Sequence, residues 1–457
     1  MKAFRKLSVL MVLLMICSAI GTLVACNPQE DVPHKPTNAY AIVQGYEWGP
    51  AVPKVVLEFS DNVTGVANDT FSVKFGTTKR NVTAAYVSDE NGVKSTVAGK
   101  YVTIEMSVKN GEASPFNYNF MTSRNTWVEK INFTVTVNEG KSFNVGKAVY
   151  NSGEKYTCSV TADNRKVPQT ASWVKDTVTE GSITLQRAAW APEGAKTDSG
   201  KNPLIIWLHG AGEGGTDIDI DLLGNEVTAL TTENETNVQK YFKTDGLAGA
   251  YVLAVQTPTM WMDRGDGQYN QNGTGKQESM YTAALWKAIT SYVEGNSDID
   301  TNRIYLGGCS NGGYMTMNMA FEHGDYFAAF YPICEAYMNS RISDEMIQQI
   351  KDYNIWFLHS ADDTTVNPGQ TSIPTYFRLL QAGATNCMFT LTQNVKGTDD
   401  PTASYMGHYS WVYAFNDQVT TRFDPAQVTS QDYLIYSNCN VTNVNMWSWM
   451  SAQSKAQ

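Results

Sequence analysis

Histidine and patterned cysteine are what this sequence has least of. Its 457 residues include 5 histidines, too scattered for a metal centre, and any general base must be found among them. The 7 cysteines form no C-x-x-C pair and no His/Cys cluster at metal spacing, so neither a metal nor a cofactor is expected. Apart from Cys17 and Cys26 near the N-terminus, there remain Cys158, Cys309, Cys334, Cys387 and Cys439. These are odd in number and widely spaced, which implies no disulfide framework; a single Cys387–Cys439 bridge stays open. Basic charge is in deficit, with 34 Lys and Arg against 45 Asp and Glu and a formal net charge of -11. That balance argues against nucleic acid as a partner and against electrostatic adhesion to anionic lipid. There is no internal repeat and no long low-complexity tract. With 42% hydrophobic and 17% charged residues, the chain is globular and long enough for two cores.

The one long apolar stretch stands at the start. Lys2, Arg5 and Lys6 precede a run from Leu7 to Ile20, too short for a transmembrane anchor, and the pattern is that of a signal peptide. It ends Leu23-Val24-Ala25-Cys26, similar to the bacterial lipobox whose cysteine is lipidated. The expected layout is a signal peptide at 1–25 and a lipidated tether at 26–37. Lipid on Cys26 then holds the protein at the bacterial cell surface or periplasmic face, and the membrane is a partner through that anchor alone. From 38 to 175 short alternating segments rich in Val, Thr and aromatics, such as Val55 to Phe59 and Ile131 to Val137, predict an antiparallel immunoglobulin-like β-sandwich. No titratable constellation stands out there, and the expectation is a structural or spacing module. From 176 to 457 uninterrupted apolar strands (Leu204 to Leu208, Tyr251 to Val255, Ile355 to Leu358) alternate with amphipathic helical stretches. The fold class expected is therefore multi-domain, an all-β sandwich followed by a mostly parallel sheet covered by helices on both faces.

Chemistry concentrates in the second part. Arg303 to Leu306 reads as a strand, Tyr314 to Ala320 as a helix, and between them runs Gly307-Gly308-Cys309-Ser310-Asn311-Gly312-Gly313. A glycine-flanked serine between strand and helix is a nucleophile elbow, in which the tight turn exposes the hydroxyl and opens a helix as an anion site. A serine nucleophile needs a base and an orienting acid, in the chain order Ser, Asp/Glu, His for an α/β-hydrolase. His34, His209, His323 and His359 fall in the wrong place for that order, and His408 remains. The loop His359 to Val366 offers two aspartates, Asp363 and the alternative Asp362. Asp363 is preferred on its spacing to Val366. The glycine-rich turn His209 to Gly215 follows a strand and leaves backbone N–H groups free. Ala211 and Asn311 are the expected oxyanion donors. Asp217-Ile218-Asp219-Ile220-Asp221 imitates a calcium loop but has Leu222 where that loop needs glycine, so a solvated loop or helix start is expected.

Four motifs then carry a resemblance: L-H-G-A-G-E-G-G at 208–215, D-x-x-R-I-Y-L-G-G-C-S-N-G-G at 300–313, H-S-A-D-D-T-T-V at 359–366 and G-H-Y-S-W at 407–411. The chain resembles bacterial esterases in which an immunoglobulin-like domain precedes an α/β-hydrolase domain akin to polyhydroxybutyrate depolymerases and feruloyl or acetyl-xylan esterases. The opening Val43 to Pro50 of the first domain is similar as well, and Ser360 stands where glycine is more usual. The resemblance implies ester hydrolysis with Ser310 as nucleophile, His408 as base and then acid, and Asp363 orienting it. The substrate expected is a small-molecule or polysaccharide-linked ester. Trp261, in a loop at the active edge, and Glu335, on the rim after a strand, are candidate substrate-binding residues; packing of Trp261 onto the domain is the equal alternative. Two other functions stay open: a serine peptidase of the same fold, and a surface binding lipoprotein with an inactive hydrolase domain.

Overall fold

A computed structural model describes residues 34–231, 238–266, 275–398, 400–427 and 439–455. The expected signal peptide, Cys26 and the tether up to residue 33 lie outside the described residues.

The first domain is a two-sheet sandwich. Along Ile131–Val137 the side chains of Ile131, Phe133, Val135 and Val137 are buried while Asn132, Thr134 and Thr136 face outward, the period of two expected of a half-buried strand. That strand pairs antiparallel with Phe71–Phe75 and Lys155–Val160. The opposing sheet is built on the long strand Gly49–Thr64, flanked by Asn38–Tyr46 and Gly99–Met106. Val55, Leu57, Phe59, Val73, Ile104 and Phe133 meet between the sheets.

The second domain centres on an eight-stranded sheet. We label its strands β1 (Val174–Glu180), β2 (Ile183–Trp190), β3 (Asn202–Leu208), β4 (Tyr251–Gln256), β5 (Ile299–Cys309), β6 (Ala329–Ile333), β7 (Ile355–Ser360) and β8 (Cys387–Thr392). The spatial order is β1-β2-β4-β3-β5-β6-β7-β8. Only β2 runs antiparallel to its neighbours. β3, β4 and β7 are buried at every position because helices cover both faces of the sheet. Those helices include α1 (Ile218–Gly224), α2 (Thr282–Glu294), α3 (Asn311–His323), α4 (Asp344–Ile350) and α5 (Ser372–Gln381). The Asp217 segment is the start of α1, with the Asp217 carboxylate capping the Asp219 N–H. The boundary expected at 175/176 falls inside β1, which pairs with β2 from Val174 onward; the strand belongs wholly to the second domain. All five described cysteines are free, so Cys387 and Cys439 are not bridged.

The domains are stitched together near the carboxyl edge of the parallel strands. Leu223 of α1 enters the core of the sandwich, where a side chain on Gly45 would crowd it at 3.2 Å. The Glu47 carboxylate, buried in the first domain's opening hairpin, accepts from Thr398 N at 3.0 Å, from the Thr398 hydroxyl and from Tyr405 OH at 2.7 Å. A second hairpin, Phe116–Asn119 with Arg124–Trp127, reaches over the second domain. There Trp127 Nε1 donates to Asp217 Oδ2 at 2.7 Å and the Arg165 guanidinium lies 3.6 Å from the Trp127 ring centre.

Candidate active site

Ser310 stands between β5 and α3 with φ 55 and ψ -113, a strained backbone for a residue with a side chain. The neighbouring glycines make the turn possible. A Cβ on Gly308 would lie 2.4 Å from the Leu208 carbonyl oxygen, and one on Gly312 would lie 1.9 Å from the same atom. Pinning follows from Ser310 N donating to Ile333 O at 2.9 Å, and from Ser310 O accepting from Tyr314 N and Ala336 N. Asn311 opens α3, so its N–H has no acceptor within the helix.

His408 and Asp363 come together across 45 residues. His408 Nδ1 is 2.7 Å from Asp363 Oδ2, and Asp363 Oδ1 accepts from Thr365 N at 2.8 Å and Val366 N at 2.9 Å. Burial alone would raise the Asp363 pKa, but hydrogen bonds from His359 and His408 overcome it and hold the carboxyl well below its usual range. The carboxylate is ionised, so His408 Nδ1–H is the donor and Nε2 is the free nitrogen of the ring. Asp362 is turned away, accepting from Ser360 Oγ at 2.6 Å.

The turn after β3 is rigid for identifiable reasons. His209 Nε2 accepts from Thr257 N at 3.0 Å, so its proton is on Nδ1, which faces Gly210 O. Burial pushes its pKa down to about 4, and the ring is a neutral strut. Gly210 N donates to Asn225 Oδ1, and Gln256 Nε2 bridges Glu213 O and Asp217 O. Ala211 begins the short helix Ala211–Glu213, which leaves its N–H without an acceptor inside that turn.

Of the two candidate substrate contacts, Trp261 takes its packing alternative and Glu335 is corrected. Trp261 is fully buried, 5.3 Å from the His209 ring and edge-on to Tyr281 at 6.2 Å; it packs against the turn after β3 and does not line an open pocket. Glu335 is 1% exposed, not on the rim. Its Cα is 2.7 Å from where a Gly313 Cβ would sit, its Oε2 accepts from Tyr337 N at 2.6 Å, and burial pushes its pKa up to about 8. Sequence reasoning also missed the first domain's hairpin. Asn125 Nδ2 donates to Glu213 Oε1 at 3.3 Å, Arg124 Nη1 donates to Pro258 O at 2.7 Å, and the Tyr118 ring would lie 3.8 Å from a Gly212 Cβ. Its tip exposes Phe120 and Met121. Nothing in the local pattern of that hairpin announces these contacts.

Among the described residues, the one group of three His, Cys, Asp and Glu side chains with ligand atoms within 4.8 Å of one another is Cys334, Asp363 and His408. Its carboxylate is already occupied by N–H donors, and burial holds the Cys334 thiol protonated, so it makes a poor cation site.

Residues 38–149 match the family of esterase Ig-like N-terminal domains. Residues 260–357, the segment carrying the Ser310 elbow, match the prolyl oligopeptidase family. No curated protein matches the sequence. A thermostable esterase structure is similar, with TM-score 0.64 and 24% identity over 84% of this chain and 97% of that one. A ferulic acid esterase aligns at TM-score 0.38 and 14% identity over 53% of this chain and 93% of its own. An acylaminoacyl peptidase from Pyrococcus horikoshii aligns at TM-score 0.35 and 14% identity over 64% and 53%. The two family matches mark a serine hydrolase with an esterase-type Ig-like domain, and the thermostable esterase shares its fold, an Ig-like domain ahead of an α/β-hydrolase domain.

Proposed function

We propose that the protein is an extracytoplasmic carboxylesterase using Ser310, His408 and Asp363. The observation that carries this reading is the 2.7 Å contact of His408 Nδ1 with Asp363 Oδ2, in a domain whose strained strand-to-helix elbow presents Ser310. His408 Nε2 takes the Ser310 hydroxyl proton as Oγ attacks the ester carbonyl. Ala211 N–H and Asn311 N–H face the oxyanion. Collapse expels the alcohol, which takes the proton from His408 and leaves an acyl-Ser310. Water, deprotonated by the same imidazole, attacks the acyl group; the acid departs and Ser310 regains its proton. The lipobox-like Leu23 to Cys26 supports a lipid-anchored location outside the cytoplasm, where acylated plant polysaccharide or small feruloyl and acetyl esters are the substrates we favour. The aromatic hairpin beside the oxyanion turn supports an apolar or aromatic group on one side of the ester.

The prolyl oligopeptidase match of residues 260–357 favours peptide amides as a second substrate class. A panel of aryl acetates, methyl ferulate, acetylated xylan and peptide anilides, run on wild type and Ser310→Ala, separates the two. Esters should be cleaved and anilides not. Ser310→Ala should retain at most roughly a thousandfold rate over water and lose its fluorophosphonate adduct. An adduct or full activity in that variant sinks the assignment.

A further inference from the structure

Asp363 is gripped by two histidines, and the reaction scheme uses one of them. His359, the penultimate residue of β7 before the acid loop, is completely buried. Its Nε2 is 3.1 Å from Asp363 Oδ2 and 3.1 Å from the Val366 carbonyl oxygen. Both are acceptors, so Nε2 carries the proton. Its Nδ1 is 2.7 Å from Ser372 Oγ, at the first residue of α5, and in this tautomer it accepts the hydroxyl proton. Burial keeps the ring neutral, against the pull of Asp363. Every polar atom of the imidazole is committed, and one tautomer satisfies them all.

The result is a carboxylate oxygen shared by two N–H donors, His408 at 2.7 Å and His359 at 3.1 Å. We propose that His359 is a positioning residue of the triad: a neutral Nε2–H donor, locked by Ser372, that fixes the rotamer of Asp363 and spreads its charge. This rests on the triad reading above. Two consequences follow from chemistry. Without the second donor the carboxylate turns more freely, and the His408 ring it orients loses register with Ser310. Its undivided charge then also holds the His408 imidazolium more firmly, so the base is recovered only at higher pH. The titratable groups facing His408 besides Asp363 are the buried Cys334 thiol, within 4.8 Å, Asp362, whose Oδ1 lies beside Gly407, and His359 itself, which would be repelled by His408 if both rings carried a charge.

The test compares two polar replacements that differ in reach. His359→Gln places an amide nitrogen near the position of Nε2 and keeps a donor on Asp363. His359→Asn places it near Nδ1, towards Ser372, and leaves Oδ2 with His408 alone. With an aryl acetate, His359→Asn should lose roughly 10- to 100-fold in kcat, the range typical of groups that orient a catalytic ligand. Its KM should stay within about twofold and the acidic limb of kcat/KM should move to higher pH. His359→Gln should stay near wild type in both respects. Equal kcat and equal acidic limbs for the Asn and Gln variants overturn the proposal. Asp363→Asn serves as the reference: if it is inactive while both His359 variants match wild type, only this inference fails, whereas an active Asp363→Asn removes the triad beneath it.

Discussion

Replacing Glu213 by Gln should flatten the pH dependence of stability on the alkaline side. Glu213 sits in the turn after β3, 6% exposed, with Asn125 Nδ2 at 3.3 Å and no cation acting on it among the described residues. Burial pushes its pKa up from 4.5 to about 7, against hydrogen bonds from Asn225 and Asn125. Nearby Asp221 is wholly buried, has both carboxyl oxygens without partners among the described residues, and is raised well above its usual range by burial and by Glu213. Because the folded pKa of Glu213 is the higher one, the folded state holds its proton between 4.5 and about 7 while the unfolded chain releases it. Its contribution to stability is complete below 4.5 and disappears as pH rises through about 7. At about 1.36 kcal/mol per pH unit, the gap is worth about 3 kcal/mol. In a domain of this size that corresponds to on the order of 5–10 °C in Tm. The assay is thermal unfolding of wild type and Glu213→Gln from about pH 5 to about pH 8.5. Wild type should lose the larger share of its Tm over that range. His209, with its pKa lowered to about 4, acts oppositely, removing stability as pH falls from 6.5 towards 4, but equally in both proteins. Parallel Tm curves would refute the burial argument.

Two further substitutions follow from the packing. Gly312→Ala puts a Cβ 1.9 Å from the Leu208 carbonyl oxygen, so it should yield insoluble or inactive protein, checked by soluble yield and fluorophosphonate labelling. Glu47→Ala removes the carboxylate that holds Thr398 N and Tyr405 OH in the junction between the domains, and should cost about 2–4 kcal/mol in chemical unfolding. A loss below half a kcal/mol would show the clasp to be idle.

The elbow could be read early because its determinants are local. Strand, glycine, serine and helix are contiguous from Arg303 to Ala320, and the glycines answer a clash with the adjacent strand that any such turn creates. Chain order singled out His408 for a similar reason, since only one histidine follows the acid loop. Choosing between Asp362 and Asp363 rested on spacing in the sequence; the loop decides it by turning Asp362 onto Ser360 and Asp363 onto two imidazoles. Glu335 was misplaced, and Trp261 left between two readings, because a residue in the loop after a strand can face the rim or the core, and periodicity does not tell which.

By itself, then, the sequence determined the two kinds of domain and the presence of a serine elbow with a histidine downstream, all properties of short-range pattern and order. Only the tertiary structure decided what surrounds them. Docking brings Asn125 to Glu213 across 88 residues and Glu47 to Tyr405 across 358, and Glu213 and Asp221 end up buried. Such contacts depend on how two cores pack against each other, and burial, not residue type, then sets the charge each group carries.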